Sequence, residues 1–200
     1  IVLSNAEKEL MQFVGKSGIP VASTLLGLGA FPANHPQYVG FLGMHGNYAP
    51  NIKTNEADLL LAVGMRFDDR VTGDVSRYAK NAKVIHIDID KAELNKTIKT
   101  EVAIHADAKE ALEDILKHIK TVDHSKWIAE FGKLAKMEHK QVIEKDIAAE
   151  KKKLKMANVI RLLSDKTKGE AIIVSDVGQH QMVVSRYYKY RQGKNNVTSG

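Results

Sequence analysis

The stretch LLLAVGMRFDDRVTG, Leu59 to Gly73, joins an apolar strand to a strongly charged segment. Leu59 to Val63 is unbroken apolar sequence, which is typical of a strand that is covered on both faces in a parallel sheet. Gly64 follows the strand, and two arginines and two aspartates lie between Arg66 and Arg70. Because open α/β sheets bind ligands beyond the carboxyl ends of their strands, this charge predicts a ligand site.

Outward from this strand, the sequence alternates between strand and helix patterns. Further strands are predicted in IPVAST, at Lys83 to Ile89 and at Val102 to His105, and helical periodicity marks Glu7 to Lys16 and Ala108 to Lys120. The segment from Leu25 to Asn51 is rich in glycine and proline, too irregular for a long regular element and too apolar for a solvated loop. The alternation predicts an α/β fold with a parallel sheet and helices on both faces.

Three segments are predicted along the chain. Residues 1–122 form the first α/β domain, and residues 123–155 form a long, charged helical connector. The pattern restarts in residues 156–200, with a helix at Asn158 to Leu163 and a buried strand at Ala171 to Val174. We expect this last part to be the beginning of a second α/β domain, and the chain to be a piece of a longer protein.

The composition limits the class of protein. The 200 residues are 44% hydrophobic and 27% charged, which fits a globular domain. There is no cysteine, and no apolar run is long enough for a membrane span, so we expect a cytoplasmic protein with no membrane partner. Much of the net charge of +6 lies between Lys145 and Lys155, where no aromatic residue could stack on a base. We interpret that region as a solvated helical linker and expect no nucleic-acid partner.

Several motifs are excluded as sites. GLGAFP, Gly27 to Pro32, lacks the third glycine of a dinucleotide-binding turn, and the histidines have no metal-ligand spacing, so no metal site is predicted in this chain. His86 is interpreted as a satisfied core histidine. Ser175, Asp176 and His180 lack the G-x-S-x-G elbow of a nucleophile.

Three loops remain as candidates for a binding site. GMHGN, Gly43 to Asn47, has two glycines that permit close backbone approach to a ligand. RFDDRVTG, Arg66 to Gly73, offers guanidinium groups for phosphate oxygens, and HIDID, His86 to Asp90, ends a strand in carboxylates suited to a ribose. Together they indicate a nucleotide across a sheet edge. The alternative for the arginine loop is a surface salt-bridge cluster, and the loop by itself does not decide between the two.

These motifs carry a resemblance to a known family. TLLGLGAFPANHP, LGMHGNYAPN, DLLLAVGMRFDDRVTG, HIDID and DVGQHQM occur in the order and spacing found in the catalytic large subunit of acetolactate synthase (acetohydroxyacid synthase). The resemblance covers nearly the whole chain, from the central domain into the thiamine-diphosphate-binding domain. It is closer than the likeness to glyoxylate carboligase or pyruvate oxidase. Two departures are Asn47, where the family usually has threonine, and Val183, where it usually has tryptophan.

The resemblance implies a fold and a set of cofactor-binding residues. The central domain of the family is a six-stranded parallel sheet of DHS-like Rossmann type that binds FAD. The residues that match its flavin-binding positions are Thr24, Leu25, Gly43, Met44, His45, Gly46, Asn47, Gly64, Arg66, Asp68, Arg70 and Val71. Asp88, Ile89, Asp107 and Ala108 match positions around the adenosine end, and Gly178, Gln179, His180 and Gln181 match the start of the thiamine-diphosphate site.

The resemblance also implies an activity. The family joins pyruvate to a second 2-oxo acid, such as 2-oxobutyrate, with loss of carbon dioxide, in branched-chain amino-acid biosynthesis. It uses thiamine diphosphate, Mg²⁺ and an FAD that transfers no net electrons, and a homo-oligomer with a regulatory small subunit is expected. The activating glutamate and the metal-binding GDG segment are absent from this chain, so we expect no catalytic residue here, poor anchoring of Gly178 to Gln181 and no activity of the isolated chain.

Two alternatives to this function stay open. One is the central domain of another thiamine-diphosphate enzyme that binds ADP or no nucleotide, as in an oxalyl-CoA decarboxylase type. The other is a subunit-interaction module whose sheet edge binds a partner.

Overall fold

The computed structural model of the chain describes residues 1–150 and 153–199. Its strands are β1 (Val21–Ser23), β2 (Tyr38–Phe41), β3 (Leu59–Val63), β4 (Lys83–Asp88), β5 (Val102–His105), β6 (Ile173–Ser175) and β7 (Asn196–Thr198). Its α-helices are α1 (Glu7–Ser17), α2 (Tyr48–Glu56), α3 (Asp69–Thr72), α4 (Ala108–His118), α5 (Ser125–Glu138), α6 (Glu144–Ile147), α7 (Met156–Lys166) and α8 (Gln179–Tyr187). A π-helical turn, His139–Ile143, joins α5 to α6.

The strands pair in parallel, as the sequence predicts. β1 pairs with β2, β3 to β5 form a sheet in the order β3-β4-β5, and β6 pairs with β7. Val63 lies opposite Ile87, and Asp88 lies opposite His105, so the carboxyl ends of β3, β4 and β5 share one edge. The α/β class with parallel strands is confirmed.

The six-stranded sheet implied by the resemblance has a different form in the described residues. Before residue 122 there are five strands, in one sheet of two and one sheet of three. The two sheets are joined by packing, because Val21 of β1 and Leu61 of β3 both contact the core cluster that contains Phe13, Val14 and Leu112. The two sheets are therefore held together by side chains that are buried against α1 and α4, rather than by hydrogen bonds between strands.

The alternation of side chains along β3 explains its unbroken apolar sequence. Leu61 and Val63 pack on the helical side, against α1 and α4. Leu60 and Ala62 pack on the opposite side, in a cluster with Phe67, Tyr78 and Val84. Both faces of the strand are covered from Leu60 onward, whereas Leu59 at its start is 53% exposed.

His86 is a core residue but not a satisfied one. Its side chain on β4 is buried and lies edge-to-face against Phe67, with the ring centroids 5.1 Å apart. Its Nε2 has no hydrogen-bond partner and lies 3.6 Å from Asp88 Oδ2, beyond hydrogen-bond distance.

Two elements of the glycine-rich segment were missed by the sequence analysis. This segment contains β2 and, from Tyr48, the helix α2. Pro50 within the first turn of α2 is compatible with a helix because its nitrogen lies where no intrahelical acceptor exists. The weak apolar periodicity of α2 concealed it, since its burial comes from packing against α5 and β2 rather than from one apolar stripe.

The predicted connector is partly a packed helix. α5 lies on α2, where Trp127 and Phe131 pack edge-to-face and the Lys53 ammonium lies 4.6 Å from the centre of the Trp127 ring. The solvated helical linker predicted for Lys145 to Lys155 is wrong over most of its length. α6 ends at Ile147, whose carbonyl accepts a hydrogen bond from Asn158, and residues 151–152 lie outside the described residues.

The last segment packs against the first. Phe41 of β2 shares a core cluster with Val184, Tyr188 and Tyr190. The buried strand predicted at Ala171 to Val174 is wrong in its burial, because Val174 is 75% exposed. Ile173 packs on the shared cluster, whereas the opposite side chains of β6 have no covering element among the described residues.

Candidate nucleotide-binding site

A cavity of about 550 Å³ lies beyond the carboxyl ends of β1, β2 and β3. The loops after these strands form most of its wall, and α8 with the residues flanking it completes the wall from the last segment. The predicted flavin-binding residues that line it are Thr24, Leu25, Gly43, Met44, His45, Gly64, Arg66, Asp68, Arg70 and Val71. The arrangement matches the rule that open α/β sheets bind ligands beyond the strand ends.

The arginine loop forms the charged part of the cavity. Arg66 Nη2 lies 3.4 Å from Asp68 Oδ2, and the Arg66 side chain is 60% exposed. Such an exposed pair contributes about 0 to 1 kcal/mol, so Arg66 can leave Asp68 for a ligand at little cost. The other carboxylate oxygen, Asp68 Oδ1, is buried with no hydrogen-bond partner.

Gly64 leaves open space where β3 ends. Its φ is +63°, a conformation that L-residues adopt at a cost, and an added Cβ would meet no atom within 4 Å. Its amide nitrogen donates to the Ile87 carbonyl at 2.8 Å, which fixes the turn to the neighbouring strand. The glycine therefore turns the chain into the charged loop without filling the cavity.

The glycines of GMHGN approach the protein's own backbone closely, and Gly43 also lines the cavity, so the predicted approach to a ligand stays a prediction. A Cβ on Gly43 would lie 2.9 Å from the Arg70 carbonyl oxygen, and one on Gly46 would collide with the Phe41 carbonyl. Met44 N donates to the Arg70 carbonyl at 2.7 Å, so the two loops are held together. This contact leaves the Met44 side chain 60% exposed and lining the cavity.

Some predicted residues lie outside the cavity wall. Gly46 and Asn47 belong to the loop behind Met44 and His45, and Asp88, Ile89, Asp107 and Ala108 lie beyond β4 and β5, on the same sheet edge as Gly64. Asp88 Oδ1 accepts from the Asp90 amide at 2.9 Å. Ile89 is 68% exposed beside this turn, and its carbonyl lies 3.0 Å from His105 Nε2. Their role toward a ligand stays a prediction.

Asp107 stabilises the first turn of α4. Its carboxylate caps α4 by accepting from the Lys109 amide at 2.8 Å, and Ala108 is buried as the first residue of that helix. Hydrogen bonds from the Ser4 hydroxyl and the Lys109 amide hold the pKa of Asp107 below its ordinary value. The carboxylate is therefore ionised at neutral pH, as a helix cap requires.

The predicted thiamine-diphosphate residues meet the cavity at one point. Of the four, Gln181 lines the cavity, whereas Gly178, Gln179 and His180 lie at the start of α8 outside the wall. The expected poor anchoring is wrong for Gln181, which is buried and donates to Thr198 Oγ1 at 2.8 Å and to the Ser199 carbonyl at 2.7 Å. The last residue of β7 and the residue after it supply these acceptors within the chain.

The cavity also contains residues that the sequence analysis missed. They are Leu26, Phe41, Leu42, Met65, Phe67, Val177, Met182, Ser185 and Ser199. Most are apolar and flank the charged or glycine-rich motifs directly. The sequence indicates only that these residues lie next to a motif. That position does not distinguish a residue that faces a ligand from one that faces the core.

The described residues carry neither a metal cluster nor a membrane-spanning helix. In residues 1–150 and 153–199, no group of three or more His, Cys, Asp or Glu side chains could hold a metal ion. No helix in that part of the chain has the length and apolar character needed to cross a membrane.

The fold agrees with comparisons to known proteins. The family model described as thiamine pyrophosphate enzyme, central domain, matches residues 1–115, so the chain belongs to this enzyme family. Among individual proteins it is similar to acetolactate synthase large subunits. It is 44% identical to that of Lactococcus lactis subsp. lactis over 189 residues, covering 94% of this chain and 32% of the relative.

Further relatives give the same result. The acetolactate synthase large subunit of Buchnera aphidicola subsp. Schizaphis graminum is 38% identical over 204 residues, covering 100% of this chain and 35% of the relative. The isozyme 3 large subunit of Escherichia coli is 37% identical over 203 residues, with the same coverage. The resemblance predicted from the motifs is confirmed, and the chain spans about a third of the length of these curated relatives.

Proposed function

We propose that this chain is the FAD-binding central part of an acetolactate synthase catalytic subunit, followed by the start of its thiamine-diphosphate-binding domain. The observation that carries the proposal is the cavity at the strand ends, with two arginines and Asp68 in one wall. On this proposal the domains are residues 1–122, 123–155 and 156–200, and the complete enzyme joins pyruvate to a second 2-oxo acid such as 2-oxobutyrate.

The lining residues suit the parts of FAD. Arg66 and Arg70 bind the diphosphate, because a guanidinium group can donate two hydrogen bonds to phosphate oxygens. The Asp68 carboxylate, which lines the cavity, accepts a hydrogen bond from the cofactor. Met44, Leu25 and their apolar neighbours exclude water from the ring system. Asp88, Ile89, Asp107 and Ala108 lie farther along the same edge and bind the adenosine end.

This chain contains only part of the binding site for the other cofactors, thiamine diphosphate and Mg²⁺. Thiamine diphosphate and Mg²⁺, when bound to the complete enzyme, would supply the nucleophilic carbon for decarboxylating carboligation. Gly178, Gln179, His180 and Gln181 form one side of its site at the start of α8. We propose that the complete enzyme is cytoplasmic and homo-oligomeric, and that it binds a regulatory small subunit, a pairing that the name large subunit of its relatives suggests.

The experiment that tests the proposal is the isolation of the complete enzyme with its native cofactor. A yellow protein that releases one FAD per subunit on denaturation is expected, and ADP in large excess should not displace the flavin. A colourless protein that binds ADP but not FAD would favour the alternative thiamine-diphosphate enzyme. Failure to bind either nucleotide would favour the interaction module.

A further inference from the structure

Glu138 at the end of α5 contacts one residue behind each of two walls of the cavity, Asn47 and Arg186, although none of the three lines the cavity itself. The side chain is buried, and one carboxylate oxygen, Oε1, pairs with Arg186 Nη2 of α8. The other oxygen, Oε2, accepts from Asn47 Nδ2 at 3.4 Å. One buried carboxylate thus joins the GMHGN loop, the connector and the last segment.

Arg186 extends this link to the backbone of the loop. Its Nη1 donates to the Gly46 carbonyl at 2.7 Å and to the His45 carbonyl at 3.3 Å. Asn47 completes the contact, since its Oδ1 accepts from the Phe41 amide at 3.0 Å. The loop that places Met44 and His45 in the cavity is therefore held from behind by a residue of α8.

The same helix supplies the opposite wall. Gln181, Met182 and Ser185 line the cavity from α8, within about a turn and a half of Arg186. A shift of α8 away from the loop would therefore widen the cavity and remove part of its wall. Arg186 connects α8 to the loop through its hydrogen bonds to the loop carbonyls. Glu138 balances the charge of the Arg186 guanidinium, because an unpaired charge is costly in a partly buried site.

We propose that Glu138 and Arg186 are positioning residues that hold α8 and the loop Gly43–Asn47 at the separation FAD binding requires. The proposal rests on the proposed function, because it assigns the cavity to FAD. It adds that a residue of the connector, outside the cavity, sets the affinity for the cofactor. It also gives Asn47 a purpose, since its amide reaches Glu138 and the Phe41 backbone at once.

The test uses the complete enzyme with Glu138→Gln, Arg186→Gln and the double variant. Glu130→Gln is the matched control, because Glu130 lies on the same helix and forms an ion pair with Lys53 instead. FAD dissociation constants come from flavin titration of the apoenzyme, and local stability comes from hydrogen exchange without flavin. The exchange measurement does not depend on the identity of the cofactor.

For each single variant we expect FAD affinity to fall by about tenfold or more, as for loss of a hydrogen bond to a charged group. The double variant should lose little beyond the single ones, because both remove the same link. Amides of residues 43–47 and of α8 should exchange faster, whereas those of β3 to β5 should not. Glu130→Gln should change neither FAD affinity nor exchange in the loop.

Two results would overturn the proposal. The first is that the wild-type enzyme binds FAD and the variants bind it with unchanged affinity. The second is exchange that rises equally in β3 to β5, which would mean that Glu138 supports the whole fold. If the wild-type enzyme binds no FAD but the variants loosen only the loop and α8, the positioning role stands and the assignment of the cavity to FAD fails.

Discussion

The side-chain amide of Asn51 pairs with both backbone groups of Gly43. Asn51 Nδ2 donates to the Gly43 carbonyl at 2.8 Å, and Asn51 Oδ1 accepts from the Gly43 amide at 3.0 Å. A residue of α2 thereby fixes the first residue of the loop that lines the cavity. The two hydrogen bonds resemble those between paired residues of neighbouring strands, but here a single side chain forms both of them.

Replacement of Asn51 by alanine should loosen this loop. We expect the free energy of unfolding to fall by about 1 to 3 kcal/mol, because two backbone groups of a buried glycine lose their partners. FAD affinity should fall as well, since Met44 follows Gly43 into the cavity wall. Denaturant unfolding and flavin titration measure the two effects.

Asn55→Ala is the control for this change. Asn55 lies one turn farther along α2, and its Oδ1 accepts from the Ala79 amide at 2.8 Å, away from the cavity. It should lower stability by a similar amount and leave FAD affinity unchanged. Equal losses of affinity in both variants would contradict the local role of Asn51.

The two arginines of the charged loop should contribute to cofactor affinity. Arg66→Ala and Arg70→Ala in the complete enzyme should each weaken FAD by about 1.5 to 3 kcal/mol, the range for hydrogen bonds to charged groups. The thermal midpoint without flavin should change little, because an exposed ion pair contributes under about 1 kcal/mol. Arg77→Ala is the control, because Arg77 is an exposed arginine outside the cavity wall. Unchanged FAD affinity in both test variants would mean that the loop is a surface salt-bridge cluster.

Gly64→Ala should be destabilising even though there is space for the methyl group. A φ of +63° costs an L-residue roughly 1 to 2 kcal/mol. Gly132 in α5 gives the opposite control, because Gly132→Ala in an open helical position should stabilise the fold by roughly 0.5 to 1 kcal/mol. Equilibrium unfolding measures both, and a neutral Gly64→Ala would show that the turn relaxes.

The packing of α5 on α2 should depend on pH through Glu130. Hydrogen bonding from Lys53 lowers the pKa of Glu130, and the pKa of Lys53 is raised by the Glu130 carboxylate and, less strongly, by Glu56. A carboxyl group with a lowered pKa stabilises the fold above its unfolded-state pKa, and that contribution is lost as the pH falls through the folded-state value.

The wild-type chain should therefore be more stable than Glu130→Gln at pH 7, and the difference should vanish as the pH falls below about 4. On the alkaline side, the contribution of Lys53 persists until the pH rises through its raised pKa. Unfolding curves for both chains over this range test the expectation. A difference that is constant down to pH 3 would mean that the glutamine disrupts packing rather than an ion pair.

The 200-residue chain should unfold cooperatively yet make no acetolactate. Its core clusters connect α1 and α4 with β3, and Phe41 with Tyr188, so it can bury a core of its own. Catalysis depends on positioning worth roughly 7 to 11 kcal/mol, which requires all walls of the thiamine site. A thermal melt beside an assay with pyruvate, thiamine diphosphate, Mg²⁺ and FAD measures both, and turnover by the isolated chain would contradict the expectation.

The sequence by itself determined the class of fold and the edge at which the site lies. The apolar run of β3 and the helical spacing of α4 are local patterns, so they predict elements without knowledge of their partners. The charged loop after Val63 indicated the ligand edge because parallel strands place their carboxyl ends together. The motifs in these loops were sufficient to identify the family.

The tertiary structure decided how the cavity is built. Gly43 and Gly46 are required by the protein's own backbone, and α2 and β2 were hidden because their burial depends on contacts with α5 and Tyr188 rather than on an apolar stripe. Glu138 and Arg186 are 48 residues apart, and no local pattern relates them. Such contacts exist only after the connector packs between the two segments, because a hydrogen bond requires a definite distance and direction that sequence spacing does not encode.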